Sequence, residues 1–253
     1  GEVRHLSHFG RSEMSAEYLP DDKVTDEKRG QFVFRHNGSF APGWGADVDY
    51  NIVSDREYFE DFGNTLSVTS TRHLNQRADV TYAADRWSFL GRVQNYQTVD
   101  RTIAADDRPY KRLPQLLFNY DSRKGNYEFA YGFYAEGVNF DRRSSVDGLR
   151  LDAEPYVSYP MRTASAFLIP TAKLRYTHYS LNNTAAGVSN GQDRLVPSLS
   201  VDSGLLFERQ AQLFGHSYVQ TLEPRAFYLY KAFNDQTSLP IFDTSENTFS
   251  FAQ

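Results

Sequence analysis

Residues 127–140 read YEFAYGFYAEGVNF, and this stretch constrains the fold more than any other. Rings crowd it, yet Glu128, Glu136 and Asn139 sit among them. A helix is a poor host for two glycines and so many aromatics. A period of two resolves the pattern. Tyr127, Phe129, Tyr131, Phe133 and Ala135 fall on one face, and Glu128, Ala130, Gly132, Tyr134 and Glu136 on the other. That is a strand with one apolar and one wet side. The remaining question is what the apolar side meets.

The pattern recurs along the chain. Ala46, Val48, Tyr50 and Ile52 alternate with Asp47, Asp49 and Asn51, and Ala78, Val80 and Tyr82 with Arg77, Asp79 and Thr81. Trp87, Phe89, Gly91 and Val93 oppose Ser88, Leu90, Arg92 and Gln94; Leu116, Phe118 and Tyr120 oppose Leu117, Asn119 and Asp121. Leu149, Leu151, Ala153 and Val157 oppose Arg150, Asp152 and Glu154, while Ala172, Leu174 and Tyr176 oppose Lys173, Arg175 and Thr177. Leu199, Val201, Leu205 and Phe207 oppose Ser198, Ser200, Asp202 and Glu208, and Ala226, Tyr228 and Tyr230 oppose Arg225 and Lys231. Weaker cases surround Val3, Ala16 with Tyr18, and Phe32 with Phe34. The total is about twelve strands, many near the ~9–11 residues that a tilted strand needs to cross a bilayer.

The connections alternate in length. Short turns are predicted at 8–11, 37–43, 84–86, 122–126, 161–165 and 209–218, and longer polar loops at 20–30, 54–73, 100–111, 141–148 and 182–193. An antiparallel meander with turns at one end and loops at the other has the habit of an outer-membrane barrel, and a sandwich has no reason to sort its loops this way. No repeat beyond the hairpin and no Gly/Ser linker divides the chain. Pro114, Pro155, Pro197 and Pro224 fall inside strand patterns, where each removes a ladder hydrogen bond, so bulges or strand ends are expected there.

Composition closes off several classes. The 253 residues carry a net charge of −5, which gives no basic footprint for nucleic acid. Mean hydropathy is −0.59, and no apolar run is long enough for a transmembrane helix. Cysteine is absent, which excludes disulfides and thiolate metal sites within this stretch. No signal peptide opens the sequence, as expected of a processed or internal piece. With 15% aromatics, a soluble β-sandwich or propeller and an outer-membrane barrel remain, and the loop pattern favours the barrel. The predicted class is therefore all-β, an antiparallel meander forming part of a large transmembrane outer-membrane β-barrel. Its apolar face would meet lipid and its charged face a watery lumen. An Arg or Lys at the lipid midplane costs about 2–4 kcal/mol, and burying a Phe or Leu gains about 1.5–3 kcal/mol. The expected lumen-facing set is Asp47, Asp49, Arg77, Asp79, Glu128, Glu136, Arg150, Asp152, Glu154, Lys173, Arg175, Glu223 and Arg225.

Six stretches carry a resemblance. MSAEYLP, YNIVSDREYFEDFG, RPYKRLPQL, LRYTHYSL, SLSVDSGLLFER and QTLEPRAFYLYKAFNDQ, in this order, resemble the outer-membrane lipopolysaccharide-assembly family LptD, over nearly the whole chain. The resemblance implies a barrel of about 26 strands, of which residues 1–253 would be the N-terminal half. A periplasmic domain would precede Gly1 and the second half of the barrel would follow Gln253. The family's disulfide cysteines would lie outside this stretch, in keeping with its lack of Cys. The implied activity is transport, with no covalent chemistry and no cofactor. Lipopolysaccharide would arrive over a periplasmic LptA bridge and pass to the outer leaflet, its sugars crossing the lumen while its acyl chains leave sideways. The lipoprotein LptE would plug the barrel. Turns such as 122–126 would be periplasmic, and loops 54–73 and 182–193 external.

Other chemistry weighs less. Asp55, Glu57, Glu60 and Asp61 could hold a divalent cation, but their spacing fits no EF-hand, and solvated loop acids are the simpler reading. Glu223 and Arg225 could touch sugar or phosphate, though cross-strand pairing is the plainer role. His178 beside Tyr176 and Tyr179 brings a phospholipase to mind, yet no Gly-x-Ser-x-Gly elbow accompanies it. The DSG at 202–204 sits inside a strand pattern, and the NNT sequon at 182–184 reads as a turn. Trp87, Tyr159, Tyr179 and Tyr230 are expected in an aromatic girdle or packed between strands. The rivals are a porin or siderophore transporter, which the ordered motifs separate, and a soluble all-β binding module, which would need no detergent.

Overall fold

The computed structural model describes residues 1–63, 65–122 and 129–243. Fifteen strands run through the described residues. They are β1 (Glu2–Ser7), β2 (Gly10–Asp22), β3 (Glu27–Ala41), β4 (Trp44–Val53), β5 (His73–Ala83), β6 (Trp87–Thr98), β7 (Lys111–Asp121) and β8 (Ala130–Asp141). There follow β9 (Asp147–Ser158), β10 (Met161–Arg162), β11 (Ala166–Asn182), β12 (Gly191–Leu205), β13 (Phe207–Leu213), β14 (His216–Leu222) and β15 (Arg225–Lys231). Between β4 and β5 lie two short helices, α1 (Tyr58–Phe62) and α2 (Leu66–Thr69).

Thirteen strands form one antiparallel sheet in meander order, from β1 to β9 and then β11, β12 and β15, with β10 pairing the start of β11. The sheet is open, and β1 and β15 are its edges. Its two faces invert the rule for soluble proteins, which place apolar groups inside. Tyr131, Phe133, Leu151, Leu174, Tyr176 and Leu199 are exposed, while Glu136, Arg150, Asp152 and Thr177 are buried. The period-two reading thus holds strand after strand. In the middle of the strands the apolar residues share one face and the charges the other.

Predicted boundaries move: the turn at 161–165 holds β10, the loop at 182–193 shrinks to 183–190, and four others change more. The long loop at 20–30 shrinks to residues 23–26, because β2 and β3 stay paired across a bulge as far as Asp22 and Glu27. Those strand ends are polar on both sides and so carry no alternation to read. The turn at 37–43 tightens to Pro42 and Gly43, where Gly43 takes a φ of +78° that only glycine adopts without strain. Loop 54–73 is not irregular throughout, since it contains α1 and α2. The predicted turn at 209–218 is a hairpin of its own, β13 with β14, off the main sheet. Phe214 and Gly215 both have positive φ, as a two-residue hairpin turn of the mirror-image type requires. The strand pattern read across 198–208 accordingly breaks between Leu205 and Phe207. The turn at 122–126 lies mostly outside the described residues.

The prolines sit where the ladder lapses. Pro114 occupies the register shift between Arg112 and Gln115. Pro155 pairs with Phe133 of β8, and toward β11 it falls in the gap between the Tyr156 and Ala153 pairings. Pro197 marks the end of the β12–β15 ladder, where its carbonyl accepts the Ala232 N–H at 3.1 Å. Pro224 precedes β15.

Candidate functional site: a cross-strand charge belt

The charged face is organised as a belt that crosses the sheet from β2 to β15. Register alone sets side by side Glu13, Arg35, Asp49 and Arg77, one from each of β2 to β5. A second row runs Asp79, Arg92 and Gln115, and a third Glu136, Asp152, Thr177 and Arg194. Side chains join these rows. Arg35 meets Asp49 at 3.6 Å, and Asn37 donates to Asp47 at 3.0 Å. Arg77 bonds Asp47 and lies 3.6 Å from Asp79, which Arg92 grips with Nε at 2.8 Å and Nη2 at 2.7 Å. Arg112 donates to Gln94 at 2.8 Å and Gln115 to Glu136 at 2.6 Å. Arg150 donates to Glu136 at 2.7 Å. Asp152 takes Arg175 and, at 2.8 Å, the Thr177 hydroxyl. Lys173 lies 3.7 Å from Glu154, and Arg225 forks onto Asp202 at 2.8 and 2.7 Å.

Within the belt two directly opposed pairs are like-charged, Asp47 with Asp79 and Glu136 with Asp152. Such pairs repel. Arg77 stands between the first two, while Arg150 and Arg175 neutralise the second two separately. The diagonal arginines make the register tolerable.

Of the thirteen residues expected on this face, Asp47, Asp49, Arg77, Asp79, Glu136, Arg150, Asp152, Glu154, Lys173, Arg175 and Arg225 lie on strands that share it. Glu128 lies outside the described residues. Glu223 sits in the exposed connection before β15, not on the strand, and shares a cleft with Arg162 and Arg225. Several members were not singled out from sequence. Arg92 and Asp202 had the right parity but were left out of the set. Arg11, Glu13 and Arg35 lie in weakly alternating strands. Asp243 has no local signal at all. It follows β15 by a dozen positions and reaches back to Arg150 Nη1 at 2.6 Å and Arg112 Nη2 at 3.4 Å.

At the loop end of the sheet the same face turns apolar. Val138, Phe140, Tyr179, Leu181 and Phe242 form a buried cluster, joined by Tyr110, Val146 and Leu239. Tyr179 is therefore no girdle residue. It is 3% exposed, on the face of Thr177 rather than that of Tyr176, and Phe242 covers it. Trp87 and Tyr159 do belong to a row of rings at the turn end of the apolar face. Phe40, Trp44, Tyr82, Trp87 and Phe118 follow one another at 5.9, 4.8, 4.5 and 5.9 Å, and Phe129 meets Tyr159 at 4.6 Å. Tyr230 is exposed on β15, in the register row of Leu199, Ala172 and Val157 in the middle of the sheet.

The acidic loop residues bind arginine. Buried Arg29 donates to Asp55 at 2.9 and 2.7 Å, to Asp22 at 3.1 Å and to Asp61 at 2.6 Å, with the Phe62 ring 4.8 Å from its guanidinium carbon. Glu57 and Glu60 face Arg101 at 2.5 and 3.9 Å. Burial works against ionised Asp55, but the hydrogen bonds from Arg29 and Ser54 outweigh it and hold its pKa below the usual carboxylate range. Burial and the bond to Glu17 push the Tyr58 hydroxyl up to about 12. This cluster pins α1 against β2 and β3. His178 and Tyr176 both reach the exposed Asp193, at 2.8 and 2.5 Å.

Comparison with known proteins adds an independent line. Residues 27–253 match the family model described as LptD, LPS transport system D. The chain is 44% identical to the LPS-assembly protein LptD of Nitrosococcus oceani, in an alignment covering 100% of this chain and 35% of that protein. It is 36% identical to that of Ralstonia nicotianae (100% and 32%) and 38% identical to that of Methylococcus capsulatus (100% and 25%). The chain thus spans between a quarter and about a third of the length of these curated relatives.

Proposed function

The chain belongs to the LptD family, and on that premise we propose that it is part of an outer-membrane β-barrel that delivers lipopolysaccharide to the outer leaflet. The observation that carries this reading is the inversion of the two faces, with exposed rings and aliphatics on one side and a paired charge belt on the other. In lipid the first face is favourable and the second is not, so the belt lines the lumen. An amphiphile suits such a wall. Its sugars stay hydrated along the belt while its acyl chains remain in hydrocarbon, and neither part is desolvated against its nature. Because each guanidinium already has a carboxylate or amide partner, the belt offers many exchangeable contacts and no single deep trap.

The open edges at β1 and β15 support the place of residues 1–253 as the first part of a larger barrel, since an unpaired strand edge is untenable in hydrocarbon. The loop end would face outward and the turn end the periplasm. LptE would occupy the lumen against the belt, and LptA would dock outside this stretch. The function is transport; nothing in it requires catalysis or a cofactor.

Single-cysteine variants of the full-length barrel in native membranes test the reading. A membrane-impermeant thiol reagent should label Asp49→Cys and spare Tyr131→Cys and Phe133→Cys. Labelling at 131 and 133 with protection at 49 sinks it. Lipopolysaccharide reaching the cell surface undiminished after depletion of the protein would sink the transport assignment by itself.

A further inference from the structure

The segment 232–243 leaves β15 and lies back across the charged face as a strap. Its hold is concentrated in a few side chains. Phe242 stacks on Phe140 at 4.4 Å, with the planes 19° apart, and meets the Tyr110 ring edge-on at 4.9 Å. Asp243 spans two guanidiniums, Arg150 and Arg112. Gln236 accepts from Arg194 at 2.6 Å. Without Asp243, Arg112 would keep only the neutral Gln94 and Arg150 only Glu136, since Asp152 is taken by Arg175. The Nε atoms of Arg112 and Arg150 and the Gln115 Oε1 are buried there with no hydrogen-bond partner among the described residues. The two Nε–H groups are spare donors, and the Gln115 Oε1 is a spare acceptor beside them.

We propose that Arg112 and Arg150 form a binding site for a tetrahedral oxyanion, a phosphoryl group, which Asp243 keeps closed until the ligand displaces it. Two guanidiniums with spare N–H groups match a phosphate better than a carboxylate, because a phosphate brings three acceptor oxygens and more charge. Displacement frees the strap, since Phe242 is carried by the same turn of chain as Asp243. The site is thus both a receptor for the anion and the latch of the strap. This rests on the polar face lining a watery passage, the reading proposed above, and it names the chemical group that the passage recognises at its loop end.

The experiment uses the full-length protein in nanodiscs with a spin label at Ser238→Cys, an exposed strap position. Inorganic phosphate, glucose 1-phosphate and glucose are titrated, and label mobility is read. Both phosphates should free the strap and glucose should not. Asp243→Asn should lower the half-saturating phosphate concentration by about tenfold or more, and Arg112→Gln should raise it by a similar factor. Arg150→Gln leaves buried Glu136 without its cation and can misfold, so Arg112→Gln carries the test. Equal potency of the two phosphates assigns a free oxyanion as the ligand, and preference for the sugar phosphate assigns a phosphorylated glycan. Release by glucose as well, or an unchanged half-saturation in Asp243→Asn, overturns the site. The readout is independent of transport: failure of the thiol-labelling pattern removes the passage, whereas failure of phosphate release removes only this site.

Discussion

Two stretches of the charged belt are built from the same residue types and behave as opposites. Between β2 and β5, Arg11, Glu13, Arg35, Asp49 and Arg77 line an open cleft of about 530 Å³, and the Arg35 side chain is 59% exposed. Between β7 and β11, Arg150 and Glu136 keep 9% and 6% of their side-chain surface, under the strap that ends in Phe242 and Asp243. The strand chemistry does not differ; the covering does. Where water reaches the pair, Coulomb attraction is screened and the side chains stay free to meet a passing solute. Where a strap excludes water, the pair becomes a structural unit that is costly to break.

The contrast is sharpest in Arg150→Met. It leaves Glu136 buried without its cation and should destabilise the folded barrel by about 3–5 kcal/mol, seen as a lowered midpoint for the loss of heat-modifiable migration. A loss below 1 kcal/mol would mean that water already reaches the pair. Next in size is Phe242→Ala. It removes a buried ring worth up to about 3–5 kcal/mol in a full core, here borne by the docking of the strap alone, so protease should nick 232–243 while the strands stay resistant. Nicking of the strands as well would tie the strap to global stability. Tyr58→Phe removes the 2.8 Å bond to Glu17 and should cost about 0.5–1.5 kcal/mol, read as faster hydrogen exchange across α1. Smallest is Arg35→Gln in the open cleft, expected to cost below about 1 kcal/mol. Combining it with Asp49→Asn should give a coupling of the same small size in a double-mutant cycle.

Acid should separate the loop end further. The Asp55 pKa is lowered in the folded state, so its contribution is present above the unfolded carboxylate value of about 4 and is lost as pH falls through the lower folded value. Exchange protection of α1 should therefore hold from pH 7 to 5 and fall below about pH 4, while that of the central strands persists. Protection of α1 that is unchanged at pH 3 would show that the Arg29 cluster does not hold the helix.

Much of this was legible in the sequence, and the reason is local. In a pleated strand each side chain's face is set by its parity, so Asp47, Arg77, Arg150 and Lys173 could be assigned to the charged face, and Tyr131 and Leu151 to the other, from nearest neighbours alone. Short turns force sequential antiparallel pairing, so the meander order followed as well. Weak alternation hid what it could not mark: the polar ends of β2 and β3, and the β13–β14 hairpin read as a turn.

Tertiary structure alone decided the depth of burial and the partners that lie far apart in the chain. Parity already puts Tyr179 on the face of Thr177, but only Phe242 laid on it makes it a buried residue. Asp243 belongs with Arg150, 93 positions away, and no periodicity connects them. Parity tells a residue which way to face, because the pleat repeats every two residues. What it meets there depends on where the rest of the chain comes to lie.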